Sequence, residues 1–203
     1  IKARGGEGDD NIYIYDQSAG TSNWNSDRAG IGNVLVEGGP GRDRITVSGA
    51  LNTSITTGAD SDTIVLTTQQ YRTIEEGDRN YDSYSYAVEP IIVEDFTVGS
   101  SGDVIDYGDL LRNGTLSYDG NNPFAGGFLS LDQSGEDTLI KFDEDGKAGS
   151  ESEGITVAIL KNVQASSLVA DNFNPNFPPD GSPPSPVEIR GTQEADNLTG
   201  GFG

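Results

Sequence analysis

A nine-residue motif rich in glycine and aspartate, GGxGxDxUx with U a large aliphatic residue, constrains the fold of this chain most strongly. Residues 5–13 (GGEGDDNIY) and 38–46 (GGPGRDRIT) match it at every fixed position, and residues 57–65 and 191–199 match it in part. Glycine permits sharp backbone bends that a β-carbon would penalise. These bends turn carbonyl oxygens inward, the aspartate adds a carboxylate beside them, and the aliphatic residue begins a short buried strand.

A weaker form of the motif recurs every nine to ten residues from position 33 onward. The aspartate position of these copies is taken by Asn33, Asp43, Asn52 and Asp62. Two units form one coil of a flattened solenoid, so Asp43 and Asp62 are expected to lie one above the other. Stacked carboxylates repel each other unless a cation separates them. A mixed set of about six to eight carboxylate and carbonyl oxygens suits calcium better than magnesium.

The hydrophobic residues occur in short clusters that predict an all-β fold. Each cluster is bounded by Gly, Asp, Asn or Ser, which are the usual boundaries of strands. No long stretch keeps a helical hydrophobic period. The clusters lie at 11–15, 33–36, 44–47, 63–66, 91–93, 138–142 and 155–160.

The composition excludes several kinds of chemistry. The chain contains no Cys, His or Met, which rules out a His- or Cys-dependent nucleophile, an ordinary zinc site and any disulfide. Its net charge is −21, from 33 Asp and Glu against 12 Lys and Arg. This charge disfavours nucleic acid and anionic lipid as partners and favours cations. No apolar run approaches the length of a membrane span.

Residues 91–173 no longer follow the motif, and we expect them to form antiparallel strands that cap the open end of the repeats. A solenoid end leaves N–H and C=O groups unpaired and apolar side chains exposed, so a cap is required. Asn113-Gly114 favours a hairpin turn. At 143–146 (DEDG) we expect a polar hairpin turn, with weak cation binding as the alternative. The candidate core residues are Phe96, Ile105, Leu110, Leu111, Leu129, Leu131, Leu139, Ile155, Val157 and Ile159.

The chain divides into four predicted parts. Residues 1–70 carry the repeats, with an insertion at about 14–32, and residues 71–174 form the cap. Six prolines within 175–188 predict a stiff, extended linker. Residues 189–203 begin a further run of repeats. Because the chain ends within a turn motif and shows no signal-peptide pattern, we expect it to be a piece of a longer protein.

The nonapeptide resembles the repeat of the repeats-in-toxin (RTX) hemolysin-type family, and VEDFTVGSSGDVIDYGDLL at 93–111 resembles a segment near the C-termini of type I secretion targets. The resemblance implies a parallel β-roll in which calcium ions lie between successive turns. It also implies a secreted or cell-surface protein of a Gram-negative bacterium, exported unfolded by a type I system and folded by extracellular calcium. A metal-free solenoid rich in Gly and Asp is the alternative.

Carried onto this sequence, the family motif implies calcium ligands of two kinds. Carboxylates come from Asp10, Asp43, Asp60 and Asp62, and backbone carbonyls from Gly5, Gly6, Glu7, Gly8, Gly38, Gly39, Pro40 and Gly41. On the opposite side of the roll Asn33 and Asn52 stand in place of aspartate, so weak or no binding is expected there. Asp10 lacks a clear partner copy, for which Asp27 is a poorly matching substitute.

No catalytic residues are expected in this chain, because most of its carboxylates lie in motifs that calcium already explains. The predicted function is a structural or adhesive calcium-binding module, such as part of an adhesin or a surface layer. The alternative is the secretion and folding module of an extracellular protease, lipase or alginate epimerase whose catalytic domain lies outside the chain.

Calcium ions are the expected partners, with further copies of the chain and cell-surface glycans as additional candidates. Tyr81, Tyr84 and Tyr86 form either a sugar-binding aromatic surface or a packed loop. Neither nucleic acid nor a membrane span is expected.

Overall fold

The computed structural model of the protein describes residues 1–15, 32–50, 52–67, 90–115, 117–149 and 154–184. Within these ranges strands predominate, and the helices are few and short. The strands are β1 (Lys2–Arg4), β2 (Asn11–Tyr15), β3 (Val34–Pro40), β4 (Arg44–Ser48), β5 (Thr53–Ala59), β6 (Thr63–Val65), β7 (Ile91–Val93), β8 (Val104–Asp106), β9 (Leu129–Ser134), β10 (Asp137–Phe142), β11 (Ile155–Leu160) and β12 (Phe173–Asn174). The helices are α1 (Gly108–Gly114) and α2 (Pro123–Gly126), with 3₁₀ turns at Gly146–Ala148, Ala165–Ser167 and Ala170–Asn172.

Consecutive strands from β1 to β8 alternate between two sheets. The first sheet has the order β1-β3-β5-β7-β11-β10-β9, and the second has the order β12-β8-β6-β4-β2. Neighbours among the first eight strands are parallel, and Ile12 pairs with Ile45, which in turn pairs with Ile64. The register therefore places the aliphatic position of each motif copy beside the same position of the next copy.

The core between the two sheets is built from these aliphatic positions. Ile45, Ile55 and Ile64 are fully buried, and the core continues into the cap without a break. Burial of each such side chain contributes about 1.5–3 kcal/mol. The buried candidates in the cap are Phe96, Ile105, Leu110, Leu111, Leu129 and Val157.

A β-bulge in the cap changes which side of β11 faces the core. The pairing of β10 with β11 shifts register between Ile140 and Lys141, and the adjacent residues Val157 and Ala158 are both buried. A bulge inserts one extra residue and reverses the alternation beyond it, so Leu160 is buried where Ile159 was expected. The remaining half-buried candidates are Leu131, Leu139, Ile155 and Ile159.

The predicted antiparallel cap is present only in part. β7, β8 and β12 pair in parallel and continue the two sheets of the repeats. Only β10 runs against its neighbours, because it pairs antiparallel with both β9 and β11, whereas β11 pairs in parallel with β7. The DEDG segment follows β10 directly, and its Gly146 begins the 3₁₀ turn at Gly146–Ala148.

The prediction of a purely β fold is wrong at residues 108–126, which include both short helices. Asn113-Gly114 lies in α1 and is not a hairpin turn. Leu110 and Leu111 bury one side of this helix. Seven residues are too few to display a helical hydrophobic period, which is why the sequence pattern missed it.

Several predictions concern residues outside the described ranges. They are the insertion with Asp27, the tyrosines at 81–86 and the repeats at 189–203. β2 extends to Tyr15, so the inserted segment begins no earlier than residue 16. The domain boundaries stay predictions. In the described part of the chain, no helix has the length and apolar character that crossing a membrane requires.

Candidate metal centre

Four aspartates from successive turns form a hydrogen-bonded column, here called the aspartate ladder: Asp10, Asp43, Asp62 and Asp103. The Asp10 N–H donates to Asp43 Oδ1 at 2.9 Å, and the Asp43 N–H donates to Asp62 Oδ1 at 2.8 Å. The Asp62 N–H donates to Asp103 Oδ1 at 3.0 Å. Each aspartate immediately precedes a strand, so the parallel register of β2, β4, β6 and β8 stacks them.

The backbone carbonyls of the ladder residues also bond to the next turn. Asp10 O accepts the Arg44 N–H at 2.8 Å, and Asp43 O accepts the Thr63 N–H at 2.8 Å. Each of these two residues is thus joined to the next turn through both its own N–H and its own carbonyl. These bonds fix the direction in which each carboxylate points.

Among the residues that the structure describes, one carboxylate oxygen on each of three ladder residues has no hydrogen-bond partner. The oxygens are Oδ2 of Asp10, Asp43 and Asp62, and all three are buried. Asp43 is 2% exposed and Asp62 is 0% exposed. Leaving a buried charged oxygen unpaired costs more than the roughly 1–3 kcal/mol of a neutral group. Each of these oxygens therefore needs a cation or a proton.

Two glycines leave open the spaces that two of these oxygens face, Oδ2 of Asp10 and Oδ2 of Asp43. A Cβ placed on Gly5 would lie 2.7 Å from Asp10 Oδ2 and 2.6 Å from Gly38 O. A Cβ placed on Gly38 would lie 2.5 Å from Asp43 Oδ2 and would also overlap Thr57 O. We call these spaces the Gly5 cradle and the Gly38 cradle. Each offers a carboxylate oxygen and a carbonyl oxygen from the next turn, which is the donor chemistry of a hard divalent cation.

The third turn lacks such a space because Thr57 stands at the position of Gly5 and Gly38. The Thr57 hydroxyl donates to Asp95 Oδ1 at 3.0 Å and lies 3.2 Å from Asp103 Oδ2. The Thr57 N–H also donates to Asp95 Oδ1, at 2.8 Å. Two carboxylates of the cap therefore satisfy the donors of this turn directly.

A second column of glycines sets how closely the turns stack. Gly39 has φ +117° and Gly58 has φ +110°, a region that L side chains rarely adopt. A Cβ on Gly39 would overlap Gly6 O, and one on Gly58 would overlap Gly39 O. These positions thus require glycine twice, for conformation and for contact with the preceding turn.

The predicted carbonyl ligands differ in what they face. Gly38 O faces the Gly5 cradle and also accepts the Gly6 N–H at 3.0 Å. Pro40 O accepts the Gly8 N–H at 2.8 Å. The carbonyls of Gly6, Gly8 and Gly39 are directed at a glycine of the next turn. The structure adds Thr57 O, which the sequence did not indicate.

The other predicted ligands do not meet the ladder oxygens through any contact in the described ranges. Glu7 and Asp60 are exposed, and Asp60 has φ +79° at a position where the motif has glycine. No group of three or more His, Cys, Asp or Glu side chains within the described residues is arranged to hold a metal ion.

Sequence reasoning missed two acidic residues beside the metal centre: Asp103, which ends the ladder, and Asp95, which accepts the Thr57 donors. Asp103 is 1% exposed, and its Oδ2 accepts the Thr97 N–H at 2.8 Å. The signal was present, because Asp103 precedes Ile105 by two residues just as Asp43 precedes Ile45. Asp95 has no comparable spacing signal.

The opposite side of the repeats carries amides where the ladder carries carboxylates. Asn52 Nδ2 donates to Asn33 Oδ1 at 3.2 Å. This pair is neutral, so it has no unpaired charge for a cation to neutralise.

Burial raises the pKa of the ladder carboxyls. Loss of hydration is the largest cause for Asp43, Asp62 and Asp103, and it is opposed by the N–H groups that each carboxylate accepts. Neighbouring carboxylates raise the pKa further. For Asp62 the result is a pKa of about 6.

The raised pKa values predict that the metal-free chain is more stable at pH 5 than at pH 7.5. A carboxyl whose folded pKa is raised stabilises the fold fully below its unfolded pKa, and this contribution is lost as pH rises through about 6. For Asp62 alone the loss between pH 5 and pH 7.5 is roughly 1 kcal/mol. Urea unfolding of the chelator-treated chain at the two pH values, followed by far-UV circular dichroism, measures this loss of stability. Asp62→Asn should reduce the difference in stability between pH 5 and pH 7.5, and a metal-free chain that is more stable at pH 7.5 would contradict the prediction.

Comparison with solved structures gives a distant likeness. The chain is similar to the solution structure of the AlgE6R3 subunit from the Azotobacter vinelandii mannuronan C5-epimerase, at 19% sequence identity and a TM-score of 0.28, over 95% of this chain and 92% of that chain. At this TM-score the likeness establishes neither fold nor function. No family model and no curated protein matches the chain, so the RTX resemblance stays a prediction.

Proposed function

We propose that the chain is a calcium-binding β-roll module, in which divalent ions between successive turns stabilise the fold. One observation carries the proposal. Asp43 Oδ2 is buried, receives no hydrogen bond from the described part of the chain, and faces, together with Thr57 O, the space left open by Gly38. A cation in the Gly38 cradle would satisfy both oxygens, and the Gly5 cradle repeats the arrangement one turn earlier.

The donor chemistry favours calcium over other cations. The oxygens at each cradle are one carboxylate and one backbone carbonyl, and they lie on successive turns whose separation is set by the sheets. Calcium accepts such mixed and irregular oxygen sets, whereas magnesium demands a tight octahedron and keeps its water. The residues that would hold the ion are Asp10 and Gly38 in one cradle, and Asp43 and Thr57 in the other.

The overall charge supports coupling of folding to calcium. With a net charge of −21 the compact state is opposed by self-repulsion, and each bound ion removes two negative charges. Sites with Kd of roughly 10⁻⁴–10⁻³ M are typical of extracellular calcium modules. Such sites fill outside a cell, where calcium is abundant, and stay empty in the cytosol.

The task of the surrounding protein is a separate matter. We place the module in a secreted or cell-surface protein with no catalytic role for the chain itself. A structural or adhesive task and the secretion and folding of an extracellular enzyme both stay predictions.

The proposal is tested by Asp43→Asn, compared with Asp60→Asn. Asp43→Asn retains the oxygen that accepts the Asp10 N–H and replaces the unpaired oxygen with an amide that cannot ligate a cation. The calcium midpoint of folding should rise about tenfold, since one site contributes about 1.4 kcal/mol at a tenfold excess of calcium. Calorimetric and circular dichroism titrations measure binding and folding together.

Asp60→Asn removes the same charge from an exposed position in the same repeat. Asparagine tolerates positive φ nearly as well as aspartate does, so its calcium midpoint should change little. Equal shifts in the two variants would show that charge alone matters. An unchanged midpoint for Asp43→Asn would refute the site.

A further inference from the structure

A side chain of the cap completes the column of carbonyl bonds that runs along the aspartate ladder. For the first three ladder residues the donor is the backbone N–H that begins the strand of the next turn, as between Asp62 O and the Val104 N–H at 2.7 Å. Asp103 O instead accepts Nδ2 of Asn172 at 2.9 Å. The last ladder residue therefore receives from a side chain the bond that the others receive from the backbone.

Asn172 lies at the position that the backbone donor of a further turn would take. Phe173 of β12 pairs with Ile105 of β8. The residues that precede them, Asn172 and Val104, are therefore level with each other. The Asn172 N–H is used in a bond to Val169 O at 3.0 Å, so its side chain acts as the donor to the ladder.

The Asn172 side chain is buried, with 0% exposure. Its Oδ1 accepts the N–H groups of Gly99 at 3.0 Å and Val169 at 3.2 Å. Its Nδ2 donates to Gly99 O at 3.2 Å and to Asp103 O at 2.9 Å. An amide side chain has two donors and two acceptor lone pairs, and all of them are used here. Gly99 and Asp103 belong to one loop, which Asn172 thus holds at two points.

The same loop fixes the carboxylate that ends the ladder. The Asp103 N–H donates to Thr97 O at 2.7 Å, and Asp103 Oδ1 accepts the Asp62 N–H. Asp62 Oδ1 in turn accepts the N–H of Asp43, whose Oδ2 faces the Gly38 cradle. Consecutive hydrogen bonds therefore join Asp103 to an oxygen that would hold calcium.

We propose that Asn172 is a positioning residue for the Gly38 cradle and acts on it through the ladder. This inference rests on the proposed calcium site. By holding the Asp103 carbonyl, Asn172 sets where the ladder ends and hence the direction of the Asp43 carboxylate. Contiguous hydrogen-bond networks carry such coupling between separate sites. Calcium affinity then depends on a cap residue 69 positions from Asp103 in the sequence.

Asn172→Ala, compared with Asn176→Ala, tests the proposal. Asn176 lies in the same segment and donates at the surface to Asp171 Oδ1 at 2.7 Å, so its replacement is a matched control. Urea unfolding of each variant is measured in millimolar calcium and in EDTA, and the difference between the two free energies of unfolding is the contribution of calcium. Asn172→Ala should lower this contribution as a roughly fivefold weaker calcium Kd would. Asn176→Ala should leave it unchanged.

A purely structural role for Asn172 lowers the free energy of unfolding equally in calcium and in EDTA, so an unchanged calcium contribution would overturn the proposal. The double variant with Asp43→Asn is a second check. Once Asp43→Asn has removed the ligand, Asn172→Ala should cause no further loss of the calcium contribution. Additive losses would show that the two residues act independently and would overturn the proposal as well.

Amide hydrogen exchange in saturating calcium reads the ladder directly. The Asp62 N–H should exchange about fivefold faster in Asn172→Ala, relative to the Lys161 N–H, which bonds to Val93 O in the other sheet. Equal acceleration of both amides would count against positioning and overturn the proposal. If Asn172→Ala does not fold, Asn172→Ser, which retains a hydroxyl donor, carries the same tests.

The outcomes separate this inference from the proposed function. Calcium that adds nothing to the stability of the unaltered chain would refute the calcium site itself and the inference with it. A calcium contribution that is present in the unaltered chain, reduced by Asp43→Asn and unaffected by Asn172→Ala would refute the role of Asn172 alone.

Discussion

Chelation of calcium at neutral pH is expected to lower the free energy of unfolding by about 3 kcal/mol or more, from two filled sites that each contribute about 1.4 kcal/mol at a tenfold excess over Kd. The loss is larger than this sum if the freed carboxylates stay ionised in the core. Against the 5–15 kcal/mol typical of a domain, about 3 kcal/mol moves the chain close to unfolding.

Urea and thermal unfolding, followed by circular dichroism with calcium and with EDTA, measure this effect. Restoring calcium should return the strand signal in one cooperative step. Magnesium at the same concentration is the control and should restore much less. A thoroughly demetallated chain with the same unfolding midpoint would contradict calcium-coupled folding.

Gly39→Ala is expected to destabilise the calcium-loaded protein by about 3 kcal/mol or more. The positive φ of +117° costs an alanine roughly 1–3 kcal/mol. The new methyl group would also overlap Gly6 O of the preceding turn, and overpacking against backbone adds about 1–3 kcal/mol. The turns would have to separate at the level of the cradles. Urea unfolding in saturating calcium measures the change.

Gly6→Ala is the matched control, because Gly6 has φ +120° but, its two chain neighbours aside, no atom of the described residues lies within 4 Å of the position that its new Cβ would take. This variant carries the conformational cost without the contact. The difference between the two variants should be about 2 kcal/mol. Equal destabilisation would show that stacking on the preceding turn contributes nothing.

The repeats could be predicted from sequence because their pattern is local and repeated. Each motif copy contains, within nine positions, the glycines that form its bend, its carboxylate and its buried aliphatic residue. Parallel stacking then brings equivalent positions together, so the contact between Asp43 and Asp62 followed from their spacing alone. The register of Ile12, Ile45 and Ile64 follows in the same way.

The cap could not be predicted to the same depth, because its structure depends on contacts that are distant in sequence. The bulge between Ile140 and Lys141 leaves no mark in the alternation of ITVAIL. Helix α1 is too short for its period to be visible. Asp95 meets Thr57 only because β7 pairs with β5. No motif in the sequence of β7 indicates this pairing.

The details of the metal ligands were also beyond sequence reasoning. The motif marks which residues lie in a turn, but it does not say which carbonyl turns toward a carboxylate. Gly38 O and Thr57 O do so, although Gly38 O also accepts the Gly6 N–H, whereas Pro40 O accepts the Gly8 N–H and is not among the oxygens nearest to either cradle. Backbone direction at each glycine decides this, and it depends on the neighbouring turn.

The side chain of Thr57 has a consequence for ion stoichiometry. It occupies, one turn later, the volume that Gly5 and Gly38 leave empty, and its hydroxyl is already bound by the cap. The row of ions along the described ladder should therefore stop at two. The side chain of Thr57 therefore ends the row of cation sites. Before this turn the stacking depends on bound metal, and after it the turns are held together by hydrogen bonds between protein groups.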